Sequence, residues 1–179
     1  IKHNDCTLIN SNGITTTAAN QLFINSSLTP TYGAFHDSTT QTAAAENVGQ
    51  VVTINTTDEA SGVSIVDGSK ITVAYPAVYN IQWSGQFMNT NPQIKDVQIW
   101  IRKNGTDIAS TNGLVSVQNE HGGNNGTAIV AWNYVLTLAA GDYIQFMWMT
   151  SSVDVTLQFY GAGSPPPASP SIIITVTKV

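Results

Sequence analysis

Three histidines, eleven carboxylates and one cysteine are the residues of this 179-residue chain whose types could do acid–base, nucleophilic or metal chemistry. Their spacing assembles none of it. His3, His36 and His121 are widely separated and form no ligand pair, so a zinc-type site would need one of them to meet its copies on a threefold axis. Asp58 and Glu59 adjoin in a Thr-rich stretch that reads as a solvated loop. Asp142 follows Gly141 in a turn, where an aspartate ordinarily bonds its own backbone. Asp58, Glu59, Asp67 and Glu120 are the oxygen donors a calcium ion would use, but no Asp-x-Asp-x-Asp loop surrounds them. There is no Gly-x-Ser-x-Gly elbow, no serine with an identifiable histidine and aspartate partner, and no glycine-rich phosphate loop opening a helix. The expectation is a non-enzymatic chain without a cofactor. Cys6 stands alone, closes no disulfide within one chain, and reads as a small, partly buried hydrophobe.

Recognition is the remaining chemistry. Asn89 and Asn91, in an Asn-Thr-Asn-Pro segment, and Glu120, His121, Asn124 and Asn125, in a Gly/Asn cluster, form a candidate loop surface. Loops on a rigid scaffold are where binding commonly sits. Amide and tryptophan side chains suit sugars, through hydrogen bonds and ring stacking. The proline-rich 161–170 segment is a third exposed candidate. Asn-x-Ser/Thr occurs at Asn25, Asn55, Asn104 and Asn125, but 16 Asn among 37 Ser and Thr yield about three such sites by chance, so the four carry no argument for glycosylation.

Composition narrows the partners. Only 9% of residues are charged, against roughly 25% in ordinary soluble domains. Neutral Thr, Ser, Asn and Gln fill the gap, while 42% hydrophobic residues suffice for a core. A net charge of -5 leaves no basic patch to neutralise phosphates, so no nucleic acid is expected. No apolar run reaches the roughly 20 residues of a membrane helix, so no membrane partner is expected either.

The elements that must position these residues read at period two. Val78–Met88 sets Tyr79, Ile81, Trp83 and Phe87 on one face and Asn80, Gln82, Ser84 and Gln86 on a wet one. Asp96–Lys103 alternates likewise and ends at Asn104-Gly105, a hairpin signal; Asp67-Gly68 is another, joining strands at 62–66 and 70–75. Thr127–Leu138, Val153–Tyr160 and Ile172–Val179 continue the pattern, and Thr31–Asp37 and Gln50–Ile54 complete about ten strands. The best helical window, Thr39–Asn47, is too short to stand alone. Tyr143–Thr150 breaks the alternation: Ile144, Phe146 and Trp148 face one way, and Tyr143, Met147 and Met149 the other. A strand apolar on both faces is covered on both. The fold class expected is all-β, an antiparallel sandwich of jelly-roll type, with residues 1–29 as an extended N-terminal arm and 30–179 as the head.

Four segments carry a resemblance. They are Tyr32-Gly33-Ala34-Phe35; Pro76-Ala77-Val78-Tyr79-Asn80-Ile81-Gln82-Trp83-Ser84; the strand ending in Asn104-Gly105; and Leu138-Ala139-Ala140-Gly141-Asp142-Tyr143-Ile144. In this order they make the last 150 or so residues resemble the trimeric jelly roll shared by tumour necrosis factor and the globular heads of complement-type proteins. The chain departs from that pattern at Ala77, where glycine is usual, and has no collagen-like stem. Its Thr/Asn-rich composition and arm resemble the versions of this head in bacteriophage structural proteins. The resemblance implies a homotrimer, with Tyr143, Gln145, Met147, Trp148, Met149, Phe159, Tyr160 and Ile173 as threefold contacts. It also implies a place in the virion as capsid decoration or fibre tip, with other virion proteins bound through the arm and a host surface glycan or protein as a further partner. A secreted recognition head of complement or cytokine type is the alternative, and some complement-type heads bind calcium.

Overall fold

The computed structural model describes residues 7–10, 13–16, 30–163 and 166–179. The chain divides into two compact units, Ile1–Thr31 and Tyr32–Val179. In the first, β1 (Thr7–Asn10) pairs antiparallel with β2 (Gly13–Thr16), a strand pair where the sequence suggested only an extended arm. His3, Cys6 and Asn25 lie outside the described residues.

The second unit is an all-β sandwich of two antiparallel sheets. Its strands are β3 (Tyr32–Asp37), β4 (Gln41–Thr42), β5 (Gln50–Val51), β6 (Thr56–Ser61), β7 (Val63–Val66), β8 (Lys70–Val73), β9 (Ala77–Asn89), β10 (Lys95–Lys103), β11 (Thr106–Asp107), β12 (Gly113–Val117), β13 (Gly126–Leu138), β14 (Tyr143–Thr150), β15 (Val155–Leu157) and β16 (Ile172–Lys178). Sheet I runs β4-β15-β9-β16-β3-β6, with β13 along the other side of β9. Sheet II runs β11-β10-β14-β8-β7, with β12 also on β10 and β5 also on β14. Consecutive long strands cross between the sheets, β8 to β9, β9 to β10, β12 to β13 and β13 to β14, so each sheet collects strands distant in sequence. Among the described residues there is no helix; the 39–47 window forms β4 and then a turn in which Asn47 takes φ 56°.

Period-two alternation builds the core. Tyr79, Ile81, Trp83 and Phe87 of β9 point inward with Ile172, Ile174 and Val176 of β16. They meet Val97, Ile99 and Ile101 of β10 and Ile144, Phe146 and Trp148 of β14. Rings tie the layers together: Trp83 lies 5.7 Å from Phe146, and Phe87 6.2 Å from Trp148. The Tyr79 hydroxyl, carried inward with its ring, donates to the Tyr75 carbonyl at 2.8 Å, and burial pushes its pKa up. The turns form as their residues dictate. Asn104 and Gly105 take φ 47° and 83°, Asp67 and Gly68 51° and 65°, the left-handed pair that a tight hairpin requires.

Asp58 and Glu59 are not in a loop. They belong to β6, an edge strand paired with β3 through a register shift at Ala34/Phe35. Its sequence, TTDEAS, lacks alternating apolar residues because the strand is mostly exposed.

Candidate functional site

The structure distributes the threefold-contact candidates over three places. Trp148 is in the core, 1% exposed, with its ring against Phe87. Tyr143, Gln145, Met147 and Met149 lie on the outer face of sheet II. Tyr160 and Ile173 lie on the outside of sheet I, 40% and 50% exposed, and the Phe159 amide donates to the Thr40 hydroxyl at 3.2 Å.

Part of the two-faced character of β14 has a cause within the chain. Met147 is opposed by Trp100 on one side and by Val51 on the other. The Trp100 indole crosses β14 and ends at Gly49, where a Cβ would come within 2.9 Å of the ring. Met147 is thereby 2% exposed within its own chain. Gln145 is 8% exposed and donates to the Ser69 hydroxyl at 3.0 Å. Tyr143 carries the Lys70 ammonium 5.4 Å from its ring centroid. Met147 and Gln145 are thus covered within the chain, while Tyr143 and Met149 remain half-buried.

The loop candidates gather at one end of the sandwich. Asn89, at the end of β9, is fully buried. Its Nδ2 lies 2.9, 3.2 and 3.1 Å from the carbonyl oxygens of Gln93, Val117 and Gln118, which share its two protons, and its Oδ1 accepts from the Asn91 amide at 2.9 Å. It positions two loops and has no atom left for a ligand. Asn91 in turn donates to Asp154 at 2.7 Å; that bond, with one from Ser152, holds the Asp154 carboxyl below its ordinary pKa. Beyond them, His121 and Asn124 close a reciprocal backbone bridge at 2.9 and 3.1 Å around Gly122 and Gly123, which take φ 62° and 81°. Glu120 Oε1 accepts from the Gly123 amide at 2.6 Å. Asn125 Nδ2 meets the Met88 sulfur at 3.4 Å. The tip is a prebuilt turn displaying His121 and Asn124. The tryptophans suited to sugar stacking sit elsewhere: Trp83 and Trp148 in the core, Trp100 on sheet II and Trp132 on β13.

The calcium candidates stay apart. Asp58 bonds His36 Nδ1 at 2.9 Å, Asp67 bonds Lys70 at 2.7 Å, and Glu120 serves its turn. Among the described residues no three His, Cys, Asp or Glu gather. Asp142 is structural. It binds Lys103 at 2.7 Å, Asn104 Nδ2 at 2.7 Å and the Ala139 amide at 2.8 Å, which pull its pKa down from 3.8 to about 2. A carboxylate whose folded pKa lies below its unfolded one stabilises the fold at neutral pH, and that contribution is lost as pH falls from about 4 through 2. Asp142→Asn is therefore expected to flatten the acid limb of the stability–pH curve, read as urea midpoints at pH 7 and pH 2.5. An unchanged pH dependence would show that the cluster is not coupled to folding.

A surface that was read only as wet proves the most distinctive. β9, β13 and β16 lie side by side, β13 and β9 in unbroken register from Gly126↔Asn89 to Leu138↔Ala77. Together they hold one charged residue, Lys178, at the end of β16. Their outward side chains are amides, hydroxyls, the half-buried Met88, the small Ala131 and the exposed apolar Val78, Ile129, Val135 and Ile173. The outer face of sheet II, by contrast, carries Lys70, Asp96 and Arg102, the last paired with Asp107 at 2.8 Å. Near the middle of the sheet I face, Ser84 and Ala131 form the floor of a shallow dish of about 510 Å³, bordered by Gln82, Asn133, Ile173 and Thr175. The signal was available: 26 residues of β9 and β13 contain no Lys, Arg, Asp or Glu.

No known protein family matches the chain, and no curated protein matches it.

Proposed function

We propose that the chain is a non-enzymatic virion structural protein, a head of tumour necrosis factor-like jelly-roll type that assembles as a homotrimer and is carried on an N-terminal arm. The observation that supports this most is the charge-free outer face of β9, β13 and β16. A solvated face ordinarily carries charge, and interface centres are depleted of it. β9 and β13, of 13 residues each, run about 40 Å, and β16, of 7 residues, about 23 Å, at a spacing of about 4.8 Å, a face of about 500 Å². That is the size of the centre of a standard interface, which buries roughly 800 Å² per partner, with the surrounding loops and β3 as its rim. Ile173 and Tyr160 belong to this contact, whereas β14 does not. The arm binds other virion proteins, and the head projects from the particle as capsid decoration or as a fibre tip.

Light scattering of the purified chain tests the assembly. Three times the 19.0 kDa chain mass is expected, and a monomer at every concentration overturns the reading. Stoichiometric occupancy of shell positions identifies decoration, while blocked adsorption by the free head identifies a tip. A second reading, a secreted recognition head of complement or cytokine type, draws on the prebuilt His121–Asn124 turn. Binding to a glycan array, lost on His121→Ala with Asn124→Ala, would favour it.

A further inference from the structure

Ile129 is 74% exposed and stands outward from β13, opposite Gln86 of β9. One repeat along the same strand, about 7 Å away, Ala131 opposes Ser84. These two small side chains floor the dish, and Ile173 closes its border. A knob and a hollow thus lie next to each other on one uncharged face. Neither is matched by charge to any basic or acidic partner, and both match a second copy of the same face. Ile173 also borders a second hollow beside Ile129, with Ser169 and Pro170 on its far side, so the knob rises between depressions.

We propose that Ile129 of one head seats in the Ser84–Ala131 dish of the next, and that this contact sets the register of self-association. The proposal rests on the reading that this face self-associates, and it adds which atoms do so. Every copy that joins carries both the knob and the dish, so each contact has both halves available.

Ile129→Asp removes the knob and keeps the dish; Ala131→Trp fills the dish and keeps the knob. Both positions are solvent-exposed in the single chain, so each variant is expected to retain the wild-type thermal unfolding of its fold. Each alone is expected to fall to monomer mass at concentrations where the wild type is fully assembled, at least a tenfold loss of association. Ile129→Leu is expected to keep the wild-type mass. Mixed in equal amounts, the two monomeric variants are expected to pair, because the Ala131→Trp chain offers an intact Ile129 to the intact dish of the Ile129→Asp chain. If the wild type assembles and either variant keeps its mass, or if the mixture stays monomeric, the knob-in-dish contact is overturned while the charge-free face stands. If the wild type itself is monomeric, both fall.

Discussion

Asn89→Asp is expected to destabilise the head by at least about 3 kcal/mol, although it exchanges one NH₂ for one oxygen. The Asn89 amide is sealed from water and points its nitrogen at three carbonyl oxygens, those of Gln93, Val117 and Gln118. An aspartate there has no proton to give at neutral pH. It sets a buried negative charge against three acceptors, and strands them as well. Of the three bonds, the one to Val117 is buried and those to Gln93 and Gln118 are part-buried; a stranded buried carbonyl costs about 1–3 kcal/mol. Asn89→Ala loses the same bonds without adding the charge, so it is expected to fall between the wild type and the aspartate. The measurement is the urea midpoint at pH 7, with hydrogen exchange on Gln118–Glu120 reporting the loosened loop. If Asn89→Asp keeps the wild-type midpoint, the amide is not the clamp that the geometry describes. Gly126 belongs to the same clamp: a Cβ on it would lie 1.7 Å from the Gln118 carbonyl oxygen, so the chain at this corner has no room for a side chain.

Asn89 also shows where sequence reading stops. Its neighbours Asn91 and Pro92 mark a turn, and asparagines in turns are usually solvated, so nothing local distinguishes a buried clamp from an exposed loop residue. The difference comes from the 117–120 segment, some 30 residues later in the chain, which folds over it. The long strands behaved differently. In β9, β10 and β16 the buried positions recur at every second residue, as period two predicts, although Val78, Trp100 and Ile173 put apolar side chains on the outer faces as well. β6 escaped because an edge strand facing water on most of its length needs no apolar face; its position is set by backbone pairing with β3, which leaves no mark in composition. The uncharged face was legible in another way, through what is missing. Runs of 13 residues without charge in β9 and β13 are visible in the sequence, but only the pairing of those runs makes them one surface.

The same distinction between chain and assembly decides Trp148. A tryptophan serving as a threefold contact would be exposed in a single head, and its removal would lower the assembled mass while leaving the fold of each head intact. In the structure it is 1% exposed, flanked in register by Ile99 and Gln50 and packed on Phe87. Trp148→Ala is therefore expected to cost about 3–5 kcal/mol of folding stability, the loss of a large buried ring plus the cavity left between two sheets that cannot close on it. Trp148→Phe retains part of the ring and is expected to lose less. Chemical denaturation gives the stability and light scattering of the folded fraction gives the mass. The expected pattern is a large drop in midpoint for the alanine variant, an intermediate one for the phenylalanine variant, and unchanged assembly by whatever remains folded. The opposite pattern, an undisturbed midpoint with dissociated heads, would return β14 to the subunit contact and remove the argument for the charge-free face.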